Sequence, residues 1–204
     1  MSDNKPSLLK IYFQLMKLRV VILLQITAIC AILAHDLMVR NNAITGDRTW
    51  YDTGFACLIT VVGGTLAAGG SNAINMVYDR DIDPLMKRTA KRPIPSGDVS
   101  PNSALLFGVI ISLLGTFWLV IMANEVAAFW AAFSVAFYVL VYSIWLKRTT
   151  PQNIVIGGAA GAFPPVIGWT IATGSLSIEP LTFFLIIFFW TPSHFWACLL
   201  YTSP

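Results

Sequence analysis

Asn75, Asp79 and Asp83 recur every fourth residue within the stretch NAINMVYDRDID, residues 72–83. On an α-helix that spacing stacks the three on one face, with successive members about 6 Å apart along the axis. Two carboxylates so placed can each reach a separate Mg2+, or bracket one through water. Mg2+ prefers one or two carboxylates plus substrate phosphates to an all-protein cage. Stacked acids also repel, so at a membrane boundary they call for a cation. Asp81 falls on another helical face and reads as a solvated or outer-lying charge.

Lys87, Arg88, Lys91 and Arg92 follow directly, and Lys147 and Arg148 come from a second charged segment. Acid followed by base suits a metal-bridged polyphosphate, with carboxylates on the metal and guanidinium groups on phosphate oxygens. The bases alone read as topology signals, and the acids alone as a helix cap. The aligned acids with their basic tail read as a site. His194 lies in the apolar run FFWTPSHFW. It reads as a haem-iron ligand, or as a histidine bonded to a neighbouring helix beside a break at Pro192. His35, next to Asp36, reads as interfacial. Cys30, Cys57 and Cys198 show no CxxC spacing and read as buried small hydrophobes. Most Trp and Phe residues read as lipid-facing or belt residues.

The elements that must hold these residues are apolar helices. Of 204 residues 56% are hydrophobic and only 11% charged, with mean hydropathy +0.71. That is too few charges to solvate a globule of this size, against roughly 25% in soluble domains. The fold class is an all-α polytopic transmembrane bundle, one membrane domain over residues 1–204. Six segments of about 20 residues can cross the hydrocarbon: 18–39, 53–77, 103–123, 126–146, 153–173 and 180–200. Pro164-Pro165 is expected to break or kink the fifth, and Gly157 and Gly161 to allow close helix approach. The N-terminus carries neither a cleavage signal nor a transit-peptide composition.

Eleven of the thirteen basic residues fall before or at the very start of segment 1, between segments 2 and 3, or between segments 4 and 5. These share one side of the membrane. The positive-inside rule places the N-terminus and the loops 79–102 and 147–152 in the cytoplasm. The net charge of +3 thus reflects topology, and nucleic acid is not expected as a partner. The long, proline-punctuated 79–102 loop is where function is expected to concentrate. A transporter or channel would place its acids near mid-membrane, whereas Asp79 and Asp83 come at a helix end. A non-catalytic haem-binding assembly protein is a further alternative.

The stretch NxxxDxxxD followed by KRTAKRPIPSGDVSP resembles the intramembrane prenyltransferases typified by 4-hydroxybenzoate polyprenyltransferase. DRDIDPLMKRTAKRPIPSG, YSIWLKRTTPQNIVIGGAAGAFPPVIGW and FWTPSHFWA are most similar to the protohaem IX farnesyltransferase (haem O synthase) branch. The resemblance runs from about Lys17 to Ala197. It implies transfer of a farnesyl group from farnesyl diphosphate to a vinyl group of haem B, in a bacterial inner membrane. Aromatic-acid prenylation is the alternative in the same chemistry. By resemblance, Asn75, Asp79 and Asp83 arrange Mg2+ around the diphosphate, with Asp79 and Asp83 as its ligands. Arg88, Arg92, Lys147 and Arg148 hold phosphate oxygens, Asn72 and Asn153 join the substrate-binding set, and His194 is a haem-side residue. Haem A synthase or a terminal-oxidase assembly is implied as partner. About nine helices and a second polar cluster are also implied, so a C-terminally truncated bundle is expected here, with residues 198–204 departing from the family pattern.

Overall fold

The computed structural model describes residues 7–202; Lys5 and the last two residues of the chain lie outside it. Its long elements are helices: α1 (Leu8–Met16), α2 (Leu18–Arg40), α3 (Trp50–Tyr78), α4 (Pro101–Met122), α5 (Glu125–Thr149), α6 (Asn153–Thr173) and α7 (Ile178–Thr202). From α2 onward all are long and apolar enough to cross a membrane, six in number among the described residues. The six expected segments each fall on one of them. The interior is thin and the perimeter apolar. Leu23, Leu113, Phe117, Phe129 and Trp190 are all exposed, as suits helices whose outer faces meet lipid.

Close approach of small residues sets the packing. A Cβ added at Gly115 of α4 would lie 2.5 Å from the Ala67 amide nitrogen of α3, and one at Gly168 of α6 would lie 2.1 Å from the Ala28 carbonyl oxygen of α2. Of the GxxxG pair, Gly157 packs against the Tyr142 ring, but Gly161 has no atom within 4 Å of its Cβ position, so only the first serves a close approach. An apolar core at one end joins Ile32, Ile59, Leu119 and Ile171; another at the opposite end joins Leu15, Met76, Val77, Ile94 and Ala104.

Several expectations are corrected. A short helix, α1, precedes the first span, and Lys17 between α1 and α2 takes a left-handed conformation (φ 52°, ψ 53°). The helix α6 runs through Pro164 and Pro165, and α7 through Pro192, without the expected breaks. These prolines are buried, where neighbouring helices can compensate for the missing amide donors. The fourth span is not uniform: Phe137–Leu146 is a π-helix inserted in α5. Cys30 and Cys198 lie exposed on the perimeter and Cys57 is half-buried, so the thiols are not core residues.

His35 is buried too, contrary to an interfacial placement. With Arg48 and Thr53 it surrounds the fully buried Asp36, whose carboxylate accepts from Arg48 Nε (2.6 Å), His35 Nδ1 (2.7 Å) and Thr53 Oγ1 (2.7 Å). Arg48 also donates to the Ala172 carbonyl at the end of α6. The α2–α3 connection is thereby latched across this end of the bundle. Asn124, which caps α5 at its first turn, donates to the Thr170 carbonyl at the same end. The chemistry-bearing residues lie at the other end.

Candidate active site

The last turns of α3 are enclosed, with every residue from Ser71 to Val77 buried. Asn72 and Asn75 lie there, and both amides are fully engaged. Asn75 Oδ1 accepts from Lys17 Nζ at 2.8 Å, while its Nδ2 donates to Ser143 Oγ at 3.0 Å. Ser143 in turn donates to the Tyr138 carbonyl five residues back, the register of the π segment. Asn72 Nδ2 donates to the Met16 carbonyl (3.0 Å), an acceptor released by the interruption of the helix at Lys17, and its Oδ1 accepts from the Tyr138 hydroxyl. The π-helix and the α1–α2 elbow thus meet on two asparagines of α3. Such local departures from α geometry recur at functional sites.

The helix stops one residue short of the first carboxylate. Asp79 is the C-cap of α3, and Asp83 stands beyond the helix, opening a 3₁₀ turn (Asp83–Leu85). The expected one-face helical stack therefore holds for Asn75 and Asp79 but not for Asp83, because Pro84 cannot donate the amide hydrogen that a continuing helix needs. The turn still bonds the Asp83 amide to the Asp79 carbonyl at 2.8 Å and keeps the two acids together.

Both carboxylates are almost dry, Asp79 at 2% and Asp83 at 1% exposure, and each faces its own cation. Lys147 Nζ lies 2.5 Å from Asp79 Oδ2, and Arg92 Nη1 contacts both Asp83 oxygens at 2.7 and 2.9 Å. The cation demanded by neighbouring acids is supplied by the protein, from the 79–102 loop and from α5. Thr89 locks the loop by donating to the Asp83 carbonyl. Asp81 is exposed and forms a two-pronged pair with Arg148, which also donates to the Tyr78 carbonyl. That Arg148 hydrogen bond holds the Asp81 carboxyl down to about 2.

The remaining predicted site residues are placed differently. Arg88 is exposed on the same loop and has no ion pair among the described residues. Asn153 opens α6 and donates back to the Thr150 carbonyl. His194 is exposed on α7 and stacked on Trp190 with ring centroids 4.4 Å apart. Its described neighbours, Trp190, Phe195 and Cys198, belong to its own helix, so among the described residues the alternative of a hydrogen bond to another helix is not observed. Aromatic residues do more than face lipid: Trp130, Phe133, Phe137, Phe163 and Phe184 form a continuous row across α5, α6 and α7.

Lys17 is the residue that motif spacing misses. Nothing in its local sequence separates it from the other N-terminal bases. Burial, with Arg92 and Lys147 close by, pushes its ammonium group down to about 8, against the partial opposition of Asp79 and Asp83.

Fold and site define a polytopic membrane bundle whose acid–base cluster closes one end, and the chain belongs to the UbiA prenyltransferase family, whose model matches residues 43–202. Among its curated relatives, the Protoheme IX farnesyltransferase of Pelagibacter ubique is 53% identical over 94% of this chain and 59% of its own length. Those of Bartonella tribocorum and Beijerinckia indica are 48% and 52% identical, over 58% and 55% of their lengths. The chain therefore spans little more than half of these relatives. No solved structure matches it.

Proposed function

We propose that the chain forms the diphosphate-binding part of a protohaem IX farnesyltransferase, which moves a farnesyl group from farnesyl diphosphate to a vinyl group of haem B and releases haem O and diphosphate. One observation carries the reading. Asp79 and Asp83 are buried side by side at a helix end, each balanced by a mobile-length cation, Lys147 and Arg92. This arrangement can exchange carboxylate–cation pairs for carboxylate–metal and cation–phosphate contacts without changing which charges are buried.

The donor set fits Mg2+: two carboxylates of hard oxygen, short of an all-protein cage, as expected where phosphate completes the shell. Asp79 and Asp83 would hold the ion, which when bound supplies Lewis-acid neutralisation of the departing diphosphate. Arg92 and Lys147 bind phosphate oxygens, so charge building on the leaving group meets fixed positive groups. Arg88 joins them at no cost in existing pairs. Asn75 orders the cluster from below through Lys17 and Ser143. Asn72 and Arg148 scaffold the site by bonding backbone carbonyls that the elbow and the helix end would otherwise leave open, and Asn153 braces the start of α6 on the Thr150 carbonyl. His194 faces outward from α7 and serves as a haem-side residue. The basic excess of the loops favours, by the positive-inside rule, a site at the cytoplasmic face of a bacterial inner membrane, with haem A synthase or a terminal-oxidase assembly as partner for the product.

The test incubates the full-length protein with Mg2+, farnesyl diphosphate and haem B, with 4-hydroxybenzoate in a parallel reaction. Haem O is the expected product. Prenylation of the aromatic acid alone would overturn the substrate assignment, and no diphosphate release with either acceptor would overturn the enzyme reading.

A further inference from the structure

The α1–α2 elbow places a strained residue beside the acid–base cluster. A lysine in the left-handed region is uncommon, and the conformation persists only where its surroundings impose it. Here they do. Asn72 holds the Met16 carbonyl, the Met16 side chain lies where a Cβ on Gly69 would stand, and Ile11 and Leu15 of α1 are buried. A continuous helix from Leu8 to Arg40 would need none of this. What the elbow achieves is to turn Lys17 inward onto Asn75.

Charge then decides what Lys17 does there. Lys147 is matched by Asp79 and Arg92 by Asp83, but Lys17 has no carboxylate partner among the described residues. Its ammonium group has three donors, and the Asn75 carbonyl takes one. Three cations thus converge on two carboxylates in an enclosed place, where an unbalanced charge is expensive. Multiply charged phosphate removes that imbalance, and the remaining ammonium hydrogens suit its oxygens.

We propose that Lys17 is a diphosphate-binding residue, presented to the acid–base cluster by the α1–α2 elbow. This rests on the reading of Asp79 and Asp83 as the metal–diphosphate site. The probe is inorganic pyrophosphate with Mg2+, its affinity measured calorimetrically on the chain in detergent or nanodiscs, with helix content and thermal midpoint recorded for each variant. Lys17→Gln retains a donor for Asn75 without the charge, Lys17→Arg retains the charge, and Asp79→Asn is the control for the site itself. Expected are a loss of about tenfold or more for Lys17→Gln and a change of less than about threefold for Lys17→Arg, at unchanged helix content. If Lys17→Gln binds like the parent while Asp79→Asn does not, the inference fails and the site reading stands. Should both Lys17 variants lose the fold, the elbow is structural only and the inference again fails. Should Asp79→Asn bind like the parent, or the parent not bind at all, the underlying reading falls and this inference falls with it.

Discussion

Asp83 accepts both contacts of the Arg92 guanidinium while 1% exposed, whereas Asp81, two residues earlier, pairs with Arg148 in solvent. Breaking a buried pair from one side leaves an uncompensated charge and costs about 3–5 kcal/mol, while an exposed pair, screened by solvent, contributes little. Arg92→Met should therefore lower the unfolding midpoint markedly and Arg148→Met barely, in thermal denaturation monitored by helix content. Asp83→Asn should also lose Mg2+-dependent pyrophosphate binding, and Asp81→Asn should keep it. Lys17 adds a pH dependence. Its folded value of about 8 lies below the ordinary 10.5, so the folded state binds fewer protons and stability rises with pH. The burial penalty is complete below about pH 8 and disappears as pH climbs to 10.5. The midpoint should increase across that window in the parent and increase less in Lys17→Gln. The acids were legible in the sequence because carboxylates every fourth residue at the end of an apolar run are rare. Lys17 was not, because only its backbone conformation sets it apart from Lys10 and Arg19.

At the scale of elements, the spans were legible from length and hydropathy, since lipid leaves a spanning segment little alternative to a helix. Their interruptions were not. A π segment widens the backbone without any residue type that demands it, and Ser143 looks like any small polar residue until its bond to the Tyr138 carbonyl is seen. The prolines did not end their helices, because the cost of a missing amide hydrogen depends on neighbours that the sequence does not display. Glycine spacing was half informative for the same reason. Gly168→Ala drives a methyl group into the Ala28 carbonyl of α2, a backbone atom that cannot rotate away, and should destabilise by about 1–3 kcal/mol or more. Gly161→Ala meets open space and should be neutral or slightly stabilising, through helix propensity alone. Thermal midpoints of the two variants, purified in parallel, measure the contrast.

For the whole molecule, polar residues gather at the two ends and apolar ones between them, but the ends differ in kind. At the Asp36 end a buried carboxylate is satisfied by Arg48, His35 and Thr53, and Arg48 continues to the Ala172 carbonyl, so its contacts tie a connection to the bundle. At the Asp79–Asp83 end positive charge exceeds negative, and the long loop stays rich in lysine and arginine. If the first is a latch and the second a binding end, the two should separate experimentally. Asp36→Asn weakens Arg48 from one side only, so it should lower the midpoint while leaving Mg2+-pyrophosphate affinity within about twofold, since neither basic loop touches it. Orientation gives a second separation. With the Asp79–Asp83 end inside the cell, as the positive-inside rule predicts, a cysteine introduced at the exposed Ser96 in an otherwise cysteine-free chain should resist a membrane-impermeant maleimide in intact cells and react after lysis. A cysteine at the exposed Asn42, beyond the opposite end of α2, should react in intact cells, once the outer membrane is permeabilised. The reverse labelling pattern would place the proposed diphosphate site outside the cell, away from a cytoplasmic supply of the proposed substrate.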